Sequence, residues 1–221
     1  MKINEYELNE KLHDIVINPY ITEEDLAIKC ELINKYNIKN ITTKLNFTSE
    51  LRKNLKRNKV KINSLVSFPF ADIPNCLLKE VIGFAENEGS DGIEYMPNFF
   101  KFLKNDTNSF ASDIETVIGA GIPTRIIISK NKLTKNSFVK VIKVCMEMGI
   151  KNFQFGDGFG SPLNPNEIKE IKEIFKDKID IKVIGGISDI YQVKDFLDSG
   201  AECIGSSRIF EIFKYLNSND N

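Results

Sequence analysis

Short apolar runs recur along this chain at intervals that leave room for one helix between each pair. The runs at 12–17, 40–44, 62–68, 92–96, 124–129, 152–155, 180–184 and 202–204 are rich in β-branched and aromatic residues, as strands buried on both faces are. The stretches between them carry helical spacing and helix punctuation. Thr22-Glu23-Glu24-Asp25 offers an N-cap followed by acidic residues. Pro74 suits a first helical turn, Asn164-Pro165-Asn166-Glu167 opens a helix reaching about residue 176, and Ser188 is placed to cap a helix through 198. Glu88-Gly89, Met148-Gly149 and Ser199-Gly200 put a glycine just past a helix end and just before the next strand.

Eight strands alternating with helices predict an α/β chain with one parallel sheet, closed as a single-domain (β/α)8 TIM barrel over residues 1–221. Residues 1–11 read as a short N-terminal extension and 217–221 as a frayed tail. The alternative, an open doubly wound sheet, calls for a glycine-rich loop after the first strand, and Leu12-His13-Asp14-Ile15 offers none.

Composition narrows the function classes. The 221 residues hold 30 Lys plus Arg against 31 Asp plus Glu, so no charge excess points to nucleic acid or a membrane surface. No apolar run is long enough for a membrane span, and Met1-Lys2-Ile3-Asn4-Glu5 lacks the apolar core of a secretory signal. A cytoplasmic protein is expected. Cys30, Cys76, Cys145 and Cys203 form no CxxC pair and read as free thiols. The single histidine, His13, argues against a zinc site and against any mechanism needing two histidines, so neither metal nor cofactor is expected.

Barrel chemistry gathers at the C-terminal ends of strands, which selects His13, Lys44, Glu94, Asn98, Lys130, Gln154, Asp157, Lys182 and the glycine turns. Lys182 interrupts the apolar strand Asp180-Ile181-Lys182-Val183-Ile184. By alternation it faces opposite to both neighbours; inside a barrel its pKa is lowered, as an amine nucleophile or base requires. Its other reading is a lysine snorkelling between helices or held in a structural ion pair. Glu94 is a carboxylate inside another apolar strand and needs a partner, for which Lys182 is the natural choice. The two then form an acid/base pair or simply a buried ion pair.

The turns Gly185-Gly186 and Gly205-Ser206-Ser207 follow the last two strands, where barrels commonly hold phosphate, and Gly156-Asp157-Gly158-Phe159-Gly160-Ser161 precedes them. Arg208 either bonds the same anion or is an exposed helix residue. Lys130 and Lys44 read first as solvated loop lysines, and His13 as a hydrogen-bonded structural residue rather than a catalyst.

These motifs together resemble the deoxyribose-phosphate aldolase family, from about Leu12 to Ile212. The anchors are Asn18-Pro19-Tyr20-Ile21-Thr22-Glu23-Glu24-Asp25-Leu26, Leu65-Val66-Ser67-Phe68-Pro69-Phe70-Ala71, Asp91-Gly92-Ile93-Glu94 with Asn98, and Gly158-Phe159. Ile181-Lys182-Val183-Ile184-Gly185-Gly186-Ile187 and Gly200-Ala201 with Gly205-Ser206-Ser207 complete them. The resemblance implies a Schiff-base aldolase: a strand-six lysine forms the imine, a strand-seven lysine tunes it, a strand-four aspartate relays protons, and glycine turns hold the sugar phosphate. Lys182 matches the strand-seven lysine, and Gly158, Gly185, Gly186, Gly205 and Ser207 match the phosphate site. Glu94 replaces the aspartate. Gln154 stands where the imine-forming lysine belongs, and an amide cannot form that adduct. His13-Asp14-Ile15 replaces the family's early Asp-His-Thr.

Three functions remain open on these residues. One is a carbon–carbon lyase with Lys182 as nucleophile and Glu94 moving protons. Another is a lyase or isomerase without an imine, with Glu94 as base, Lys182 as electrostatic stabiliser and Gln154 as hydrogen-bond donor. The third is a ligand-binding barrel without catalysis. All three imply a small phosphorylated or carboxylated partner and no nucleic acid or membrane. A homodimer is the assembly left open.

Overall fold

Eight parallel strands close into a barrel in the order in which the chain makes them. They are β1 (Leu12–Val16), β2 (Asn40–Lys44), β3 (Lys61–Val66), β4 (Gly92–Tyr95), β5 (Thr124–Ile128), β6 (Asn152–Phe155), β7 (Asp180–Ile184) and β8 (Cys203–Ser206). The computed structural model describes residues 5–56, 59–158 and 163–219. The helices are α1 (Glu5–Lys11), α2 (Glu23–Lys35), α3 (Thr48–Asn54), α4 (Asn75–Asn87), α5 (Phe99–Leu103), α6 (Thr107–Ile118), α7 (Lys135–Glu147), α8 (Pro165–Phe175), α9 (Ile190–Asp198) and α10 (Ile209–Asn219). The expected single-domain (β/α)8 barrel is therefore the fold, and each strand begins and ends within two residues of its apolar run.

Three details differ from the sequence pattern. Two helices, α5 and α6, follow β4 where one was expected, because Asp106 caps a new helix by accepting from the N–H of Ser109. Asp189, not Ser188, caps α9; its carboxylate accepts from the N–H groups of Tyr191 and Gln192, both at 2.9 Å. Pro74 sits at the N-cap of α4, one position before the first turn. The other signals act as read. Thr22 with Asp25, and Asn164 with Glu167, each form a capping box, worth about 1 kcal/mol per cap. α1 lies within the stretch read as an extension, and α10 continues to Asn219. Residues 1–4 and 220–221, and Phe159, Gly160 and Ser161 of the glycine-rich turn, lie outside the described residues.

The core has two parts. Strand side chains on the outer face of the barrel, such as Ile41, Ile62, Ile126, Phe153, Ile181 and Ile204, are fully buried with helix residues including Ile33, Ile82, Ile114 and Ile142. A smaller cluster of Leu65, Met96 and Ile127 forms separately, with Ile17 and Phe68 packed on it. Leu65 and Ile127 are the next-to-last residues of β3 and β5, and Met96 directly follows β4, so this cluster fills the barrel interior toward its C-terminal end. Burial on both faces explains why the strands are near-continuous apolar runs, and why a charged residue within one marks the interior.

Candidate active site at the barrel interior and mouth

Thr42, Glu94 and Lys182 come from β2, β4 and β7, which are not neighbours, so they can meet only through the barrel interior. Lys182 Nζ donates to Glu94 Oε1 at 2.6 Å and to Thr42 Oγ1 at 2.7 Å. Thr42 Oγ1 donates in turn to Glu94 Oε1 at 3.0 Å. Lys182 is 0% exposed and Glu94 1%. Burial pushes the Lys182 pKa below its ordinary 10.5; Glu94 counters part of this, while Arg125 adds to it. The expected partnership of Glu94 with Lys182 is thus present. Thr42 is the partner that sequence reasoning missed. A buried ammonium has three N–H donors to satisfy, which calls for a further acceptor, but a threonine in a strand is too ordinary to single out.

Gln154 lies beside Lys182 in the β6–β7 register and is 1% exposed. Its Oε1, like Glu94 Oε2, has no hydrogen-bond partner among the described residues. Two unmatched acceptor atoms therefore lie on residues that flank the lysine inside the barrel, a costly arrangement.

The glycine turns build a cavity of about 350 Å³ at the C-terminal ends of the strands. Asp157, Gly158, Gly185, Gly186, Gly205, Ser206, Ser207 and Arg208 all line it. Gly185 and Gly186 hold φ of 109° and 70°, a backbone conformation that other residues rarely adopt. The Ser206 hydroxyl is already engaged, donating to the Ile187 carbonyl at 2.6 Å and accepting from the Arg208 N–H at 3.0 Å. Ser207 and Arg208 remain exposed. The N–H groups at the start of α9 are taken by Asp189, so α9 does not offer its N-terminus to an anion.

Ile15, Ile17 and Ile184 make the apolar floor of this cavity. Beneath them lies Lys182. A Cβ added to Gly205 would stand 2.6 Å from Ile184 Cγ2, 2.9 Å from Ile15 Cδ1 and 3.0 Å from Lys182 Cε. The missing side chain of Gly205 is what lets the lysine stem pass directly behind the cavity wall.

Other sequence candidates fall elsewhere. His13 is the second residue of β1, and it borders a cavity at the N-terminal end of the barrel, opposite to the mouth where it was expected. Burial, then the charges of Lys182, Arg125 and Lys61, hold its pKa well below 6.5. Lys130 forms an ion pair with Glu167 at the start of α8 and lines neither mouth cavity. Lys44 lies 3.9 Å from the Phe47 ring centre. Asn98 caps α5 and borders a neighbouring mouth cavity lined by Phe70, Met96, Phe99 and Phe100, which Asp157 also reaches. Among the described residues no group of His, Cys, Asp and Glu is placed to hold a metal ion, and no helix is long and apolar enough to cross a membrane.

No family model matches the chain. Curated relatives do. It is 26% identical over 210 residues to a deoxyribose-phosphate aldolase of Mesomycoplasma hyopneumoniae strain 232, covering 93% of this chain and 95% of that protein. It is 25% identical over 213 residues to that of Gloeobacter violaceus, covering 95% and 93%. By sequence, then, the chain is similar over nearly its whole length to deoxyribose-phosphate aldolases. The barrel itself superimposes on the solved structure of an aldolase designated QR15 with a TM-score of 0.90 at 17% identity, covering 96% of this chain and 97% of the other. On this barrel the chain has a glycine-lined mouth, a lysine on β7, and an amide beside that lysine on β6.

Proposed function

We propose that this chain is an aldolase-like carbon–carbon lyase for a small phosphorylated aldehyde or ketone, with Lys182 as the amine and Glu94 as the group that moves protons. The observation that carries this reading is the position of the Lys182 stem immediately behind Gly205, in the wall of the glycine-lined cavity. The cavity suits a phosphate held by backbone N–H groups, with the Arg208 guanidinium at its rim.

The chemistry follows from a lowered lysine pKa, which raises the fraction of neutral amine. The amine adds to the carbonyl carbon, its displaced proton passing to Glu94, and water leaves to give an iminium. Glu94, having given its proton to the departing water, takes the proton of the substrate hydroxyl two carbons from the iminium carbon. Cleavage of the carbon–carbon bond between that hydroxyl-bearing carbon and its neighbour sends the bond's electron pair toward the iminium nitrogen. An aldehyde departs and an enamine remains. Protonation of the enamine carbon and hydrolysis then return the free amine. Gln154 supplies an N–H donor beside the reacting carbon and does not itself bond to it.

A second reading, ligand binding without covalent chemistry, is favoured by one specific feature. The Lys182 ammonium is engaged by Glu94 and Thr42, under the floor of Ile15 and Ile184. Borohydride reduction in the presence of acetaldehyde or glyceraldehyde 3-phosphate, followed by peptide mapping, separates the two. A reduced adduct on Lys182, absent in Lys182→Met, is expected from the lyase. Saturable binding of the phosphate ester with no adduct would replace it by the second reading.

A further inference from the structure

The N-terminal end of a TIM barrel is ordinarily a packed, stabilising face. Here it holds a cavity of about 640 Å³, bordered by residues that begin strands: Asn40 on β2, Lys61 on β3 and Asn152 on β6. Three features of its lining have no structural explanation. His13 is only 7% exposed, yet its Nδ1 has no hydrogen-bond partner among the described residues. Arg125 spends one N–H on the Phe153 carbonyl at 3.2 Å and forms no ion pair among the described residues. Lys61 is likewise without one. A half-buried guanidinium and an unsatisfied buried ring nitrogen are costly, and with the exposed Lys61 they leave this end of the barrel with open donors and positive charge.

The nearby carboxylates do not neutralise that charge. Asp91 borders the cavity but is held by Arg52 and by the Ile62 N–H, the latter at 2.9 Å. Glu94 also borders the cavity and its Oε2 is unpartnered among the described residues, but its single charge is already balanced by Lys182. Glu10 is exposed at the rim.

We propose that this N-terminal cavity is a second binding site, for a small oxyanion carrying phosphate or carboxylate groups, held by His13, Lys61 and Arg125. A trigonal or tetrahedral oxyanion accepts the fork of Arg125 and the ammonium of Lys61 while taking a proton donor from the imidazole. The Asn40 and Asn152 amides stand at its edge as neutral donors. The site opens at the opposite end of the barrel from the glycine-lined mouth, and Glu94 is the residue common to its lining and to the buried pair with Lys182.

His13 is the only histidine in the chain, so it is a ready-made reporter. The full chain labelled with 15N-histidine is titrated at constant pH and ionic strength with inorganic phosphate and, separately, with malonate. The ring resonances are expected to move saturably with at least one of the two, and which one identifies the head group. Lys61→Gln, an exposed position, weakens that binding about tenfold, the loss of one charge-assisted hydrogen bond. Arg125→Gln weakens it further, and Arg208→Gln in the distant mouth leaves it unchanged. The proposal is overturned if neither anion gives a saturable shift, if Lys61→Gln binds as tightly as the parent, or if Arg208→Gln removes the response.

Discussion

Lys182 and Glu94 meet at 2.6 Å across the barrel, from strands with two others between them on one side and four on the other. Neither reaches solvent, so each charge depends on the other and on Thr42. Removing one member leaves the other buried without its counter-charge. Glu94→Gln and Lys182→Met are each expected to lower unfolding free energy by about 3–5 kcal/mol. The double variant recovers most of that loss, since it removes both charges together. Urea unfolding of the four proteins gives the coupling directly. Strictly additive losses would show that the pair carries no mutual dependence.

Stability against pH carries two opposed contributions from neighbours on β1. His13 titrates well below 6.5 in the folded chain, chiefly because it is buried. The unfolded state therefore binds a proton that the folded state refuses, and stability from this group is lost as pH falls below about 6.5. Asp14 behaves in the opposite sense. Burial raises its pKa from 3.8 to about 6, against the pull of Lys29 at 3.1 Å. Its folded form keeps a proton that the unfolded form has lost, so its contribution is full below 3.8 and is lost as pH rises through about 6.

That rise corresponds to at most about 3 kcal/mol. Asp14→Asn is accordingly expected to be more stable than the parent at pH 7 by up to about 3 kcal/mol, and equal to it near pH 3. His13→Asn flattens the acid side instead. Thermal unfolding across pH 3 to 8 separates them; a parent-like profile in Asp14→Asn would mean that the carboxyl titrates normally.

The fold was legible because burial on both strand faces writes itself as β-branched runs, and because glycine marks helix ends at 89, 149 and 200, where φ is 98°, 92° and 102°. The Lys182–Glu94 contact was legible for a related reason: a charge in such a run has to face the interior and find a partner. His13 was misplaced because the sequence does not reveal the stagger between strands. His13 stands level with Asn40, the first residue of β2, whereas Lys182 is the third residue of β7. The floor formed by Ile15 and Ile184 left no trace in the pattern, since an isoleucine in an apolar strand looks the same whether it packs a helix or closes a cavity. Arg125 was passed over as the start of a strand, and only its position among unpaired groups makes it informative.

At the mouth, affinity for a phosphate ester rests mainly on backbone N–H groups, with Arg208 adding one charged contact. Arg208→Gln is expected to weaken binding about tenfold without changing stability, because the side chain is exposed and loses only a charge-assisted bond. Calorimetric titration with glycerol 3-phosphate measures it. Unchanged affinity would place the anion away from α10.

Gly205 is the residue on which the mouth and the buried lysine both depend. An alanine there drives its methyl into Ile184, Ile15 and the Lys182 stem at 2.6, 2.9 and 3.0 Å. All three contacts are side-chain atoms, so the chain can yield, at an expected cost of about 1–3 kcal/mol. The displaced isoleucines narrow the cavity, and phosphate-ester affinity falls with stability. Gly83 is the matched control. It lies within α4 with nothing inside 4 Å of an added Cβ, so Gly83→Ala should gain up to about 1 kcal/mol from helix propensity alone. Measured side by side, opposite signs for the two substitutions are expected. A neutral Gly205→Ala that still binds the ester would mean that Ile15 and Ile184 move freely, and that the floor over Lys182 opens without cost.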